Sequence, residues 1–102
     1  MMYNKLVRDK IPDIIMAQGE IPQFRILSGE EYTPALEQKL SEETEEFLRE
    51  KNLEELADIL EVVYALAEDL GYTKAELLHL YDQKHEKRGG FRERIYLISK
   101  EG

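Results

Sequence analysis

Two neighbouring stretches of the sequence carry apolar residues at helical spacing, and only Lys51 and Asn52 separate them. The first predicts a helix from about 34 to 51, and the second predicts a helix from about 53 to 70. Because the connection is so short, the two helices are expected to run antiparallel and to pack their apolar faces together. This helical hairpin limits the fold more than any other feature.

The start of the first hairpin helix has two candidates. Ser28 and Glu31 have the spacing of a capping box. Thr33 followed by Pro34 offers a second start, with the threonine as the cap and the proline at the first helical position. The sequence leaves both open.

Weaker signals place two further helices. Residues 11–19, IPDIIMAQG, predict a short helix that ends at a glycine. Thr73 and Glu76 form a capping box that opens a third long helix, which ends near Arg88 before two glycines. Segments 21–27 and 91–98 predict extended structure. We therefore predict a single all-α domain, an antiparallel helical bundle with short extended N- and C-terminal segments.

The apolar faces of both hairpin helices also carry carboxylates. At about 100° per residue, Glu43 lies roughly 20° from Leu36, inside the apolar stripe, and Glu46 lies on its shoulder. In the next helix Glu55 falls inside the apolar arc and Asp58 along its edge. A buried ionised carboxylate is costly unless it is paired or bound to a metal.

Few basic side chains are available to pair with these acids, since residues 30–69 hold fourteen acidic and only three basic side chains. A hard divalent ion fits such a set of oxygen ligands, and Mg²⁺ commonly takes a few carboxylates together with substrate phosphates; Mn²⁺ is an alternative. We therefore predict a metal site formed by Glu43, Glu46, Glu55 and Asp58.

Composition excludes several classes of function. A net charge of −8 argues against sequence-independent binding of a nucleic-acid polymer, because such binding needs a positively charged surface. The chain has no cysteine, no apolar run long enough for a membrane span and no signal-peptide pattern, so we expect a cytoplasmic protein without a membrane partner. Three long helices with wide apolar arcs exceed what one small core covers, which predicts a homodimer or a higher homo-oligomer.

Four stretches resemble the MazG-like, phosphoribosyl-ATP pyrophosphohydrolase-like family of all-α NTP pyrophosphatases: YNKLVRDKIPDII, KLSEETEEFL, EELADILEVVYAL and KRGGFRERIYL. The resemblance extends over nearly the whole chain. It implies that the Glu-x-x-Glu motif at Glu43 and Glu46 and the Glu-x-x-Asp motif at Glu55 and Asp58 bind Mg²⁺. Only eight residues separate the two motifs, fewer than in many MazG proteins, so Glu42, Glu50 and Glu61 remain alternative ligands.

The activity implied by the resemblance is hydrolysis of a nucleoside triphosphate to the monophosphate and pyrophosphate by a metal-activated water. A carboxylate that the metal leaves free would take the proton, and Glu43 and Glu46 are the candidates. Two alternatives stay open: phosphoribosyl-ATP hydrolysis with the same chemistry, and a non-catalytic acidic helical module that binds a basic partner.

Two basic clusters are candidates for contacting the substrate phosphates. The alternative for the first cluster is pairing with the acidic centre of the chain. The alternative for the second is complementing the C-terminal end of a helix. The first cluster consists of Lys5, Arg8 and Lys10, and the second of Lys84, Lys87 and Arg88.

Overall fold

The computed structural model describes residues 3–102, and within them it contains four helices and no strand. The helices are α1 (Ile11–Ala17), α2 (Gly29–Glu50), α3 (Leu53–Asp69) and α4 (Lys74–Arg88). The all-α prediction is confirmed. The segments 20–28 and 94–102 have no regular secondary structure, so the second half of 91–98 forms a tail rather than a strand.

Helix α2 begins at the earlier of its two candidate starts. The Ser28 side chain accepts a hydrogen bond from the Glu31 backbone N–H at 3.3 Å, and Glu31 Oε1 accepts one from the Ser28 N–H at 3.1 Å. Arg25 donates two further hydrogen bonds to the Glu31 carboxylate, at 3.0 and 2.6 Å. A start at residue 34 is therefore wrong, and Pro34 lies inside the helix. Thr33 instead donates to Asp69 at 2.7 Å and ties the beginning of α2 to the end of α3.

Helices α2 and α3 form the predicted hairpin. Lys51 adopts the left-handed conformation that ends α2, with φ of 53°, and the Asn52 side chain caps α3 by accepting from the Glu55 N–H at 3.0 Å. The buried apolar residues of the described chain are Leu36, Val62 and Ala67, all on this hairpin. The core is consequently narrow, and most of its stabilising contact is between two helices.

Helix α4 packs differently, because it contacts the end of α3 and makes no helix packing with α2 within residues 3–102. Every residue from 78 to 102 is exposed. The molecule measures 61 × 31 × 22 Å with a radius of gyration of 18.0 Å, whereas a compact chain of this length has a radius of about 13 Å. Most of α4 and the C-terminal tail thus extend beyond the core.

Candidate metal centre

Glu43 lies in the buried face of α2, where the helical period predicted it, and only 7% of its surface is exposed. Burial raises the pKa of Glu43 above its ordinary value, while Lys39 opposes this rise. The Lys39 ammonium, one helical turn away, lies 3.2 Å from Oε1 of Glu43. The second carboxylate oxygen, Oε2, is buried and has no hydrogen-bond partner within residues 3–102.

Glu55, on α3, also has a buried carboxylate oxygen, Oε2, to which the part of the chain that the structure describes offers no hydrogen-bond partner. The pKa of Glu55 is raised, first by loss of solvation and then by the negative charges of Glu46 and Asp58. An unpaired buried polar atom typically costs about 1–3 kcal/mol, and more when it is charged. Both helices of the hairpin therefore bring an unsatisfied acid to their shared interface.

The carboxylates of the two helices meet at Glu43. Glu43, Glu55 and Asp58 each offer one oxygen within 4.8 Å of the others, and so do Glu42, Glu43 and Glu46. The four predicted ligands are therefore brought into one cluster. With Glu42 included, we call these five residues the acidic cluster; they are Glu42, Glu43, Glu46, Glu55 and Asp58.

The structure separates the three alternative ligands. By the helical period Glu42 lies about 120° from Leu36, on the side expected to face solvent, but its side chain is only 24% exposed and belongs to the cluster. Glu50 and Glu61 are exposed and lie outside both groups of close oxygens. Glu42 differs because the N-terminal segment covers it: Lys5 donates a hydrogen bond of 2.8 Å to its Oε1 and lowers the pKa of Glu42.

The N-terminal segment reaches both helices of the cluster. Besides the Lys5 contact with α2, Arg8 donates to Asp58 on α3 at 3.2 Å and lies 3.5 Å from Glu61. Of the two alternatives for these basic residues, pairing with the acidic centre is the arrangement present. The side chains in both contacts are partly exposed, so another anion can replace the carboxylates as partners of Lys5 and Arg8.

The other predicted phosphate-binding residues are not brought to the acids. Lys10 takes part in no ion pair within residues 3–102. Lys84, Lys87 and Arg88 lie on the exposed half of α4, and the described chain pairs none of them with the acidic cluster. Lys87 and Arg88 occupy the last turn of α4, where a positive charge complements the helix dipole.

The charges of the cluster do not balance. Five carboxylates are contacted by three cations, Lys5, Arg8 and Lys39. The i,i+4 spacing of Lys39 and Glu43 signals their pair in the sequence. The contacts of Lys5 and Arg8 have no local signal, because they depend on the path of the N-terminal segment. With every group ionised, two negative charges remain without a partner, which equals the charge of one divalent cation.

Part of the chain is similar to a known protein. A 42-residue stretch is 52% identical to part of an uncharacterized protein of Mycolicibacterium smegmatis (strain ATCC 700084 / mc(2)155), covering 41% of this chain and 43% of that protein. The matched stretch thus spans less than half of that relative. No family model and no solved structure matches the chain. The resemblance to MazG-like proteins therefore stays a prediction from sequence motifs. Within residues 3–102, no helix combines the length and the apolar character needed to cross a membrane.

Proposed function

We propose that the chain is a Mg²⁺-dependent nucleoside triphosphate pyrophosphohydrolase, in which the acidic cluster holds the metal. One observation carries the proposal: the Oε2 atoms of Glu43 and Glu55, on facing helices, are both buried without a hydrogen-bond partner in the described chain. Such atoms are rare in folded proteins and call for an unseen partner. Glu43 and Glu55 also belong, with Asp58, to a group in which each residue offers one carboxylate oxygen within 4.8 Å of the others.

The donor set fits a hard cation. All of the cluster's ligand atoms are carboxylate oxygens, which suit Mg²⁺ or Mn²⁺, and the chain has no cysteine to attract a softer metal. Glu43, Glu46, Glu55 and Asp58 would hold the ion. When bound, it would lower the pKa of a water molecule and offset the negative charge of the phosphates.

The protein's own side chains would supply the remaining steps. Glu43 and Glu46 are the proposed proton acceptors, and the raised pKa of Glu43 brings it closer to the range that suits a general base. Lys5 and Arg8 already lie beside the cluster, so they would exchange carboxylate partners for substrate phosphates. A role in removing unwanted nucleotides in the cytoplasm, as a homodimer or a higher homo-oligomer, is part of the proposal.

The competing function is an acidic module that binds a basic partner without catalysis. The three cations that contact the cluster favour this alternative, because they show that basic groups already bind there. The two functions differ in one respect. A hydrolase needs the buried oxygens of Glu43 and Glu55, whereas a partner protein would contact exposed acids such as Glu45 or Glu54.

The decisive experiment is a substrate screen. Purified protein would be incubated with Mg²⁺ and a panel of ribo- and deoxyribonucleoside triphosphates together with phosphoribosyl-ATP, and monophosphate and pyrophosphate would be measured. We expect turnover of at least one of them by the wild-type chain, loss of turnover in Glu43→Gln, and retention in Glu45→Gln, which removes the same charge from an exposed position of α2. Equal rates in the two variants would contradict the site.

A further inference from the structure

Largely exposed apolar side chains occur on the first half of α4 and again in the C-terminal tail. Leu80 and Tyr81 on α4 are 53% and 59% exposed, and Phe91, Ile95 and Ile98 beyond it are 81–97% exposed. Single exposed apolar residues are ordinary, but two groups of them on one projecting segment, separated by the polar stretch 82–90, mark a contact surface. We call residues 77–98 the C-terminal arm.

The base of the arm is a groove between the end of α3 and the start of α4. It has a volume of about 630 Å³ and is lined mostly by apolar residues, among them Leu70, Tyr72, Leu77 and Leu80. A space of this size accepts several side chains of another segment. The apolar surface therefore includes a recess as well as a projecting arm, which are the two halves of a self-complementary contact.

The total exposed area indicates how much surface such a contact must cover. The chain exposes 9677 Å², whereas a compact monomer of 12.0 kDa exposes about 6,000 Å². The excess, on the order of 3,500 Å², is several times the roughly 800 Å² that a standard interface removes from each partner. A second copy supplies an area of this size, whereas a short peptide does not.

Charge identifies where the arm would lie on that second copy. Residues 84–94 carry five basic and two acidic side chains, while residues 30–69 carry fourteen acidic and three basic ones. These two regions do not pair within one chain, since no ion pair within residues 3–102 joins them. Contact between copies would bring the opposite charges together.

Length permits this contact. If two copies pair about a two-fold axis with their α4 helices antiparallel, the basic C-terminal end of one α4 lies beside the start of the partner's α4. The start of that helix adjoins the end of the partner's α3. The tail after Gly89, when extended, covers about 30 Å in nine residues. The distance along α3 from Asp69 to Asp58 is about 17 Å. The tail therefore reaches the acidic cluster of the second copy.

We propose that the C-terminal arm is a self-association surface, through which two copies pair by their α4 helices, with the basic stretch 84–94 of each lying along the acidic α2–α3 hairpin of the other. The proposal specifies the homo-oligomer suggested above and is independent of the hydrolase activity. Absence of turnover would leave it standing, and a monomeric protein would leave the metal site standing.

The first test is the mass in solution at 1–100 µM, measured by light scattering and sedimentation. We expect twice 12.0 kDa for the wild-type chain. Leu80→Glu should raise the dissociation constant of the pair by about 100-fold, because it places an unpaired charge in the contact. Met16→Glu is the control, as Met16 is as exposed as Leu80 and lies on α1, outside both the arm and the hairpin. A helical far-UV spectrum verifies folding, which the exposed position of Leu80 should preserve.

The second test locates the arm on the partner. Lys84 and Lys87 would be joined to contacting carboxylates by a carbodiimide in a mixture of ¹⁴N- and ¹⁵N-labelled protein, and mass spectrometry would distinguish links between copies. We expect links between copies from these lysines to acids within 30–69. Replacing Arg92 and Arg94 with Glu should weaken association, and Lys100→Glu should not.

Three results would overturn the proposal. One is a wild-type chain that stays at 12.0 kDa throughout the concentration range. Another is a pair that Leu80→Glu does not weaken. The third is a pair in which Lys84 and Lys87 form no links between copies to the acidic hairpin.

Discussion

Replacing Glu43 with Gln should stabilise the chain in the absence of metal and abolish its stabilisation by Mg²⁺. The substitution keeps the shape of the side chain and removes the charge of the most buried carboxylate. It also places an amide donor among the oxygens of Glu55 and Asp58, which lie within 4.8 Å of a Glu43 oxygen. The unpartnered Oε2 of Glu55 could then accept a hydrogen bond.

The magnitude follows from two opposing effects. Relief of an unsatisfied buried carboxylate is worth about 1–3 kcal/mol. The Lys39 ammonium, 3.2 Å from Glu43 in a largely buried pair, can still donate to the amide oxygen of the new side chain and keeps Glu42 at 3.6 Å, so the loss is the difference between a charged and a neutral acceptor, about 1 kcal/mol. We expect a net gain of about 1 kcal/mol, which corresponds to a rise in Tm of about 4–8 °C for a domain of this size.

Mg²⁺ supplies the second half of the test. Binding to the folded wild-type chain at 100 times the dissociation constant adds about 2.7 kcal/mol. Thermal unfolding would be followed by calorimetry, with and without Mg²⁺, for wild type, Glu43→Gln and the equally charged control Glu45→Gln. The reasoning is refuted if Glu43→Gln lowers the Tm without metal, or if Mg²⁺ raises the Tm of Glu43→Gln as much as that of the wild type.

Three further outcomes are expected. Ser28→Ala should lower the free energy of unfolding by about 1 kcal/mol in urea titrations, because it removes the cap of α2. Because burial raises the pKa of Glu43, the folded chain keeps a proton on this carboxylate at pH values where the unfolded chain has lost it. The stability of the wild type relative to Glu43→Gln should therefore fall as pH rises from 4.5 through the folded pKa, and then level off. Urea titrations from pH 4 to 8 measure this difference, and a constant difference would contradict the prediction. Arg8→Gln should raise the KM for the nucleotide about tenfold with little change in kcat, whereas Lys100→Gln should leave both unchanged in steady-state assays.

The helical period made the site predictable. A residue on an α-helix has its direction fixed to within a few tens of degrees, so the positions of Glu43 and Glu55 relative to apolar neighbours were sufficient to predict their burial. Glu42 could not be predicted in this way. Its burial arises from the N-terminal segment, which brings Lys5 to it from 37 residues away. No periodic pattern encodes such a contact.

The start of α2 shows a second limit of local signals. Two sets of adequate capping residues stand five positions apart, and local preference alone does not rank them. Non-local contacts decide between them, because Arg25 adds two hydrogen bonds to the Glu31 box while Thr33 bonds to Asp69 on another helix. The position of α4 is a third limit, since within the described chain it packs only against α3 and leaves Leu80 and Tyr81 more than half exposed.

The narrow core and the unbalanced cluster together imply that folding, cation binding and self-association are linked. Three buried apolar residues provide little of the burial that normally offsets the loss of chain entropy. The same hairpin also carries two buried oxygens without partners in the described chain. A divalent ion would remove the second deficit, and a second copy would remove the first by covering the arm. Because both bind the folded chain, each should increase stability, so Tm should rise with protein concentration even without Mg²⁺, and the two increases should be separable by Leu80→Glu and Glu43→Gln.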